Sequence, residues 1–463
     1  MRTTRGGALV AALWLLASGC AGVAPDGRLL ALPGAARPEM LRGTERPLGD
    51  KARIFERMLE RFIAPEGVLT YIQPVGARTH VYRNLADEAI WTGTLLGAEA
   101  MRYAATGEPA ARQRALRLLE GLYLLSRVGG ERGVYARSVW PAAQPGIPPH
   151  RRTHAGAGPF AAYRYRGDVS KDQIAGIVFG LAFAATVFGD QPRARALITA
   201  QSTALADHLL AHGMRIVERG RPTTHGDLMG FIHGAPIGVN ALIALAAIRL
   251  ALESTGAENY RLAYRRLVEA GYARTARWSK LQIFWRTNHN NDNMQMLASA
   301  ALLALTERGA DRSVAALDRE VRDEVRRGLA RTWRYVCHEG NAWFTYVTLH
   351  ALGDDRVGRL AAEQALERFG LDRQRRRIDL RHDPRLRPEP RAPIPNRQHR
   401  VRLLRALPVS YRAVTAFVWR SCPYALLQAP RDQQRLYAPV DYLLAYWAGR
   451  YWGWLADEPD SAR

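Results

Sequence analysis

The sequence predicts an all-α chain built from helical hairpins, and three observations point there. Strand signals are sparse along the 463 residues. One unit recurs: an apolar helix rich in small residues, a turn with Gly followed by an acid, then a more charged helix. The two ends of the mature chain each carry one further helix with no partner beside it in sequence.

The first copy of the unit reads D-E-A-I-W-T-G-T-L-L-G-A-E-A-M-R-Y-A-A-T-G-E-P and continues A-A-R-Q-R-A-L-R-L-L-E-G-L. The second reads K-D-Q-I-A-G-I-V-F-G-L-A-F-A-A-T-V-F-G-D, then Q-P-R-A-R-A-L. Further copies turn at Thr255-Gly256, Arg308-Gly309 and Gly353-Asp354. Pro109 and Pro192 stand where second helices begin, in the first turn that tolerates the missing N–H. Gly ends the first helix of each pair as a left-handed C′ residue does. The first helices are apolar nearly all round, which predicts burial. The second carry Arg and Glu on one face, which places them outside. A sixth pair comes from the ends: Val440 to Trp454 is strongly aromatic, and Lys51 to Phe62 is amphipathic. Pairing them closes a ring.

The W-T-G…R-Y-A-A-T-G-E and D-Q-I-A-G…F-G-L stretches, with this helix pattern, resemble the (α/α)6 toroid of six-hairpin glycosidases and toroidal polysaccharide lyases. The resemblance covers about residues 50 to 455 and implies a carbohydrate-active protein with its site in a funnel. The uneven unit spacing separates the chain from solenoids, which keep a fixed period.

The N-terminus predicts export. Arg2 and Arg5 precede an apolar run from Ala8 to Ala17, too short to span a bilayer permanently, and Ala17-Ser18-Gly19-Cys20 follows. The pattern resembles a bacterial lipobox, with Leu16 one place further upstream than the common form. It implies cleavage before Cys20, lipidation of its thiol and a tether in the cell envelope. The expected division is 1–19 signal, 20–48 tether and 49–456 toroid. Within the toroid, 371–408 is an Arg/Pro-rich excursion whose composition predicts no core packing. Cys337 and Cys422 allow one disulfide or two free thiols.

The formal charge is +23, and only three lysines contribute to it: Lys51, Lys171 and Lys280. Such a field predicts an anionic partner, acidic glycan or membrane surface, and an exported chain without a nucleic-acid motif excludes nucleic acid. No cofactor or metal is expected. His208 and His212 have the spacing of a zinc helix but lack its Glu, and they fall on an outer helix.

In a toroid the inner helices start around one mouth, where free N–H groups favour anionic or hydroxyl-rich ligands. Candidates at those starts are therefore named. Hydrolysis of a glycosidic bond takes two carboxyl groups, and Glu88, Asp172 and Asp227 are the expected donors, with Asp87 and Asp292 read chiefly as helix caps. Elimination from a uronate takes a base and a carboxylate neutraliser, and Asn288-His289 in R-T-N-H-N-N-D-N-M-Q-M resembles the Asn-His pair of toroidal lyases. Trp91, Gln173, His225, His233, Asn290, Asp292, Asn341, Trp343 and Tyr437 are the expected substrate contacts, since aromatic faces beside hydrogen-bonding groups suit sugars. Hydrolase, lyase and non-catalytic glycan-binding protein all remain open.

Overall fold

The computed structural model describes residues 42–75, 79–83, 86–280, 289–309, 311–337, 339–374, 377–380, 406–412, 417–428 and 434–456. The signal, Cys20, Asn288 and the middle of the Arg/Pro-rich excursion lie outside the described residues.

Six inner helices form a closed ring: α2 (Glu88–Thr106), α4 (Lys171–Phe188), α6 (Gly238–Thr255), α9 (His289–Glu307), α11 (Ala342–Leu352) and α13 (Val440–Tyr451). Each packs on the next, and α13 returns to α2. Their outer partners are α3 (Pro109–Arg127), α5 (Pro192–Ala211), α7 (Glu258–Glu269), α10 (Ala315–Val336) and α12 (Arg356–Glu367). The helix α1 (Leu48–Leu59) packs on α13, so the two ends of the chain make the sixth hairpin. A short helix, α8 (Tyr272–Ala276), fills the space between α6 and α10. The fold is an (α/α)6 toroid, as the sequence predicts. Across the middle α4 also meets α9, so the centre is filled.

The physical basis is legible in each hairpin. α4 and α6 are long and apolar enough to cross a membrane, yet most of each is buried inside the ring. Gly107, Gly256, Gly309 and Gly353 turn with positive φ, where a Cβ is disfavoured. Gly189, in the second hairpin, keeps a right-handed φ of −63°. Gly93 and Gly180 serve a different purpose. A Cβ on Gly93 would strike the Gly176 carbonyl, and one on Gly180 would strike that of Gly93, so α2 and α4 touch backbone to backbone.

Short strands decorate the ring, and the helix-period reading does not anticipate them. β1 (Tyr71–Pro74) pairs with β2 (His80–Arg83). β3 (Ser138–Pro141), β4 (Thr153–Ala155) and β5 (Tyr163–Arg166) form one antiparallel sheet in the order β3-β5-β4. β6 (Arg215–Glu218) and β7 (Arg221–Asp227) make a hairpin between α5 and α6. The described ends of the 371–408 segment are packed, against expectation. Arg373 is 2% exposed and paired with Asp441, and Leu407 is buried against Leu426. An inward arginine with a carboxylate partner joins a core where a solvated one would not. Cys337 and Cys422 are not joined in a disulfide.

Candidate functional site

The inner helices all begin at one mouth. At the start of α2, Asp87 occupies the cap position but makes no side-chain cap bond. Its carboxylate instead accepts from Arg137 Nη2 at 2.7 Å and Gln173 Nε2 at 3.0 Å, and Arg420 Nη1 lies 3.7 Å away. Burial alone would raise this carboxyl, but the charges of Arg420 and Arg137 and the two hydrogen bonds hold it below the usual carboxylate range. Asp87 is thus an anion at neutral pH. The expected capping role does not hold for it.

Arg137 ties neighbouring helix starts together. Its Nε donates to the Ala86 carbonyl at 3.0 Å, and its Nη1 to the Asp168 carbonyl at 3.1 Å and to Ser170 Oγ at 3.0 Å. Ser170 Oγ in turn donates to Asp172 Oδ1. Asp87 and Asp172 therefore sit in one hydrogen-bonded network across the α2–α4 boundary.

Asp87 also lines a cleft of about 470 Å³, within the range of small-molecule sites. The β1–β2 hairpin contributes Tyr71, Gln73 and Arg83 to it, β5 contributes Arg166, and the segment before α13 contributes Arg435 and Tyr437. A bridge between Ile72 and Leu436 brings these last residues alongside β1. The Tyr71 and Tyr437 rings lie 5.7 Å apart, and the Arg435 guanidinium stands 4.3 Å over Tyr71. His150 stands at the rim. Its Nδ1 accepts from the Arg152 amide at 3.2 Å, which puts the proton of the neutral ring on Nε2. Burial and the charges of Arg166, Arg152, Arg151 and Arg137 hold this imidazole below its ordinary value.

The other sequence-predicted residues divide sharply. Tyr437 and Gln173 belong to this site, the first in the wall and the second as a fully buried support of Asp87. Asn290 joins it indirectly, accepting from Arg420 Nε at 2.9 Å. Glu88 is 2% exposed and accepts the Val139 amide at 3.0 Å, a structural bond rather than a free carboxyl. Trp91 offers no sugar platform: it is fully buried, stacked on Phe417 at 5.0 Å, with Arg420 5.5 Å from its ring centre. Trp343 is likewise core, packed on Phe179 and Trp452. Asn341 caps α11, accepting from the Phe344 amide at 3.1 Å. These four corrections share one cause: at a ring of buried helices, the first turn already faces protein.

His289 is the clearest correction. It is 4% exposed, and its Nε2 lies 2.9 and 3.0 Å from the two oxygens of Glu339. Burial would favour neutral imidazole, but the Glu339 charge and the imidazolium's hydrogen bonding to Glu339 and with Cys422 raise it to about 10. An imidazolium cannot take up a proton, so the expected base role does not fit. Asp292, expected as a cap or substrate contact, is buried in an ion pair with Lys280 at 2.6 Å. Asp227 ends β7, accepts the Met229 amide at 2.8 Å and lies outside the cleft wall. His225 and His233 are exposed on the connections between α5 and α6, also outside that wall.

The cleft itself escapes sequence reading because short strands build it. Arg83 and Arg166 carry no motif, and only Y-R-Y-R with its alternation hints at a strand. Among the described residues no group of three His, Cys, Asp or Glu side chains is placed to hold a metal ion.

Neither a family model nor a curated protein matches the chain. Solved structures similar to it include a sugar epimerase from a ruminal bacterium, at 10% identity over 89% of this chain and 99% of that one, TM-score 0.45. A metagenome-derived glycoside hydrolase family 9 endoglucanase is similar at 14% identity over 87% and 81%, TM-score 0.41. The cellobiose 2-epimerase of Spirochaeta thermophila is similar at 13% identity over 88% and 97%, TM-score 0.39. At these values the toroid rests on the closed ring of helices, and no site residue is carried over.

Proposed function

We propose that the protein is a carbohydrate-active enzyme, a glycoside hydrolase working at the cleft beside Asp87. The observation that carries the reading is an ionised carboxylate opening into a cleft lined by two tyrosines and linked through Arg137 and Ser170 to a second carboxyl outside the cleft wall, Asp172. Hydrolysis takes two such groups. Asp87, kept anionic, serves as base toward water or as nucleophile toward the anomeric carbon. Asp172, through Ser170 and Arg137, holds that carboxylate in place, and water is added across the broken bond with its proton passing to the leaving glycosidic oxygen.

Elimination finds less support. His289 is a buried imidazolium, and His150 uses its lone-pair nitrogen on the Arg152 amide. The exported, lipid-tethered location implied by Cys20 belongs to the same proposal. Loss of labelled fatty acid in a Cys20→Ala variant is the expected result, and unchanged labelling removes that part.

The enzymatic reading is tested by following new reducing ends on an oligosaccharide panel, with ultraviolet absorbance recorded for unsaturated product. Reducing ends without that absorbance, strongly diminished in both Asp87→Asn and Asp172→Asn, are expected. Unsaturated product would establish elimination. No turnover of any panel member would leave a glycan-binding protein.

A further inference from the structure

Charge in the cleft does not balance. Arg137 and Arg420 both lie against Asp87, so that carboxylate already has two cations. Arg83 and Arg166, in the same walls, have none of their own: among the described residues no carboxylate lies within ion-pair distance of either. Arg83 donates to Gln73 Oε1 at 3.0 Å and to the Gly146 carbonyl at 3.4 Å, both neutral groups. Arg166 Nε is buried and bonds nothing.

The cost of this arrangement is visible in Arg166 itself. Burial and the nearby Arg137 charge hold its guanidinium below the usual arginine range, against the opposing pull of Glu88, Tyr71 and Asp87. Cations brought together without counter-ions destabilise the unliganded fold. A ligand that supplies the missing negative charge relieves it.

We propose that Arg83 and Arg166 form a carboxylate subsite, and that the saccharide taken by this cleft is a uronate-containing oligosaccharide. The proposal rests on the reading of the cleft as a saccharide site and adds which saccharide enters it. Guanidinium forks match a planar carboxylate through paired N–H···O bonds, and ionised partners make such bonds stronger than neutral ones. The position follows from repulsion as well. Asp87 repels a second anion and already holds Arg137 and Arg420, so the uronate carboxylate is assigned to Arg83 and Arg166.

The test is calorimetric binding of oligouronates from the glucuronate, galacturonate and mannuronate series, each against its carboxyl-reduced neutral counterpart and a sulfated one. Wild type, Arg166→Gln, Arg83→Gln and Asp87→Asn are compared, with thermal melting to confirm folding. At least one series is expected to bind about tenfold more tightly than its reduced counterpart. That preference falls by about the same factor in each arginine variant and persists in Asp87→Asn. Equal binding of oligouronates and reduced counterparts in every series overturns the subsite. So does a preference that survives both arginine variants, or a consistent preference for sulfated sugars. Tight uronate binding without turnover refutes hydrolysis and leaves the subsite standing. Turnover confined to neutral sugars does the reverse.

Discussion

Two sectors of the same mouth, the α2–α4 boundary and the start of α9, are equally rich in polar side chains and differ in how their charges are matched. At α9 every prominent charge has a buried partner: His289 with Glu339, Asp292 with Lys280. The Arg412 guanidinium donates to the Glu339 carbonyl at 2.6 Å and closes the sector further. At the α2–α4 boundary Asp87 faces a cleft, and Arg83 and Arg166 lack carboxylate partners among the described residues. The first sector has used its polarity on itself. The second has polarity left for a ligand. Residue type at a helix start therefore says less about function than the bookkeeping of partners around it.

The largest effect separating the two sectors is catalytic. Asp87→Asn should lower kcat by about 10²–10⁴-fold with a folded, glycan-binding protein, as loss of a positioned acid–base or nucleophilic group does. The reducing-end assay above measures it. Glu339→Gln, in the sealed sector, should instead leave kcat near wild type at low temperature and destabilise the fold by about 3–5 kcal/mol, because it strands a buried imidazolium. Denaturant unfolding checks this. If Glu339→Gln abolished turnover in a stable protein, the contrast between sectors would be wrong.

A smaller stability effect is expected between α2 and α4. Gly93→Ala forces a methyl against the Gly176 carbonyl and should cost about 1–3 kcal/mol, read as a lower Tm. The pH dependence belongs to the sealed sector. His289 is raised from 6.5 to about 10, so its contribution is fully present below about pH 6.5 and disappears as pH rises toward 10. Unfolding free energy should fall across that window in wild type and fall less in His289→Gln. Glu339, held below its ordinary value by His289 against the effect of burial, loses its contribution only at acid pH. Least of all, Asp227→Asn should change turnover by no more than about twofold, since that residue lies outside the cleft.

The ring was legible because its signals are local. Small-residue apolar helices, Gly-acid turns and Pro109 and Pro192 at helix starts each state one hairpin, and the leftover terminal helices could only pair with each other. The site was legible only in part. Asp172 and Gln173 at the start of α4, and Tyr437 just before α13, stand where the sequence reading expects polar residues, because the mouth of a toroid is a predictable place. Trp91, Trp343 and His289 have the right chemistry for a site but are buried by neighbours distant in sequence, such as Phe417, Trp452 and Glu339. Asp87 was discounted as a cap because capping is common, and its true partners, Arg137 and Arg420, lie 50 and 333 positions away. Arg83 and Arg166 sit on strands of four residues, too short for alternation to stand out.

The most direct measurement is the crystal structure of Asp87→Asn soaked with the tightest-binding oligosaccharide from the panel. A sugar ring in the cleft lined by Tyr71 and Tyr437, its glycosidic oxygen beside residue 87, is the expected density. Sugar bound against the α9 start, or on the outer helices with the cleft empty, would contradict the assignment of the site.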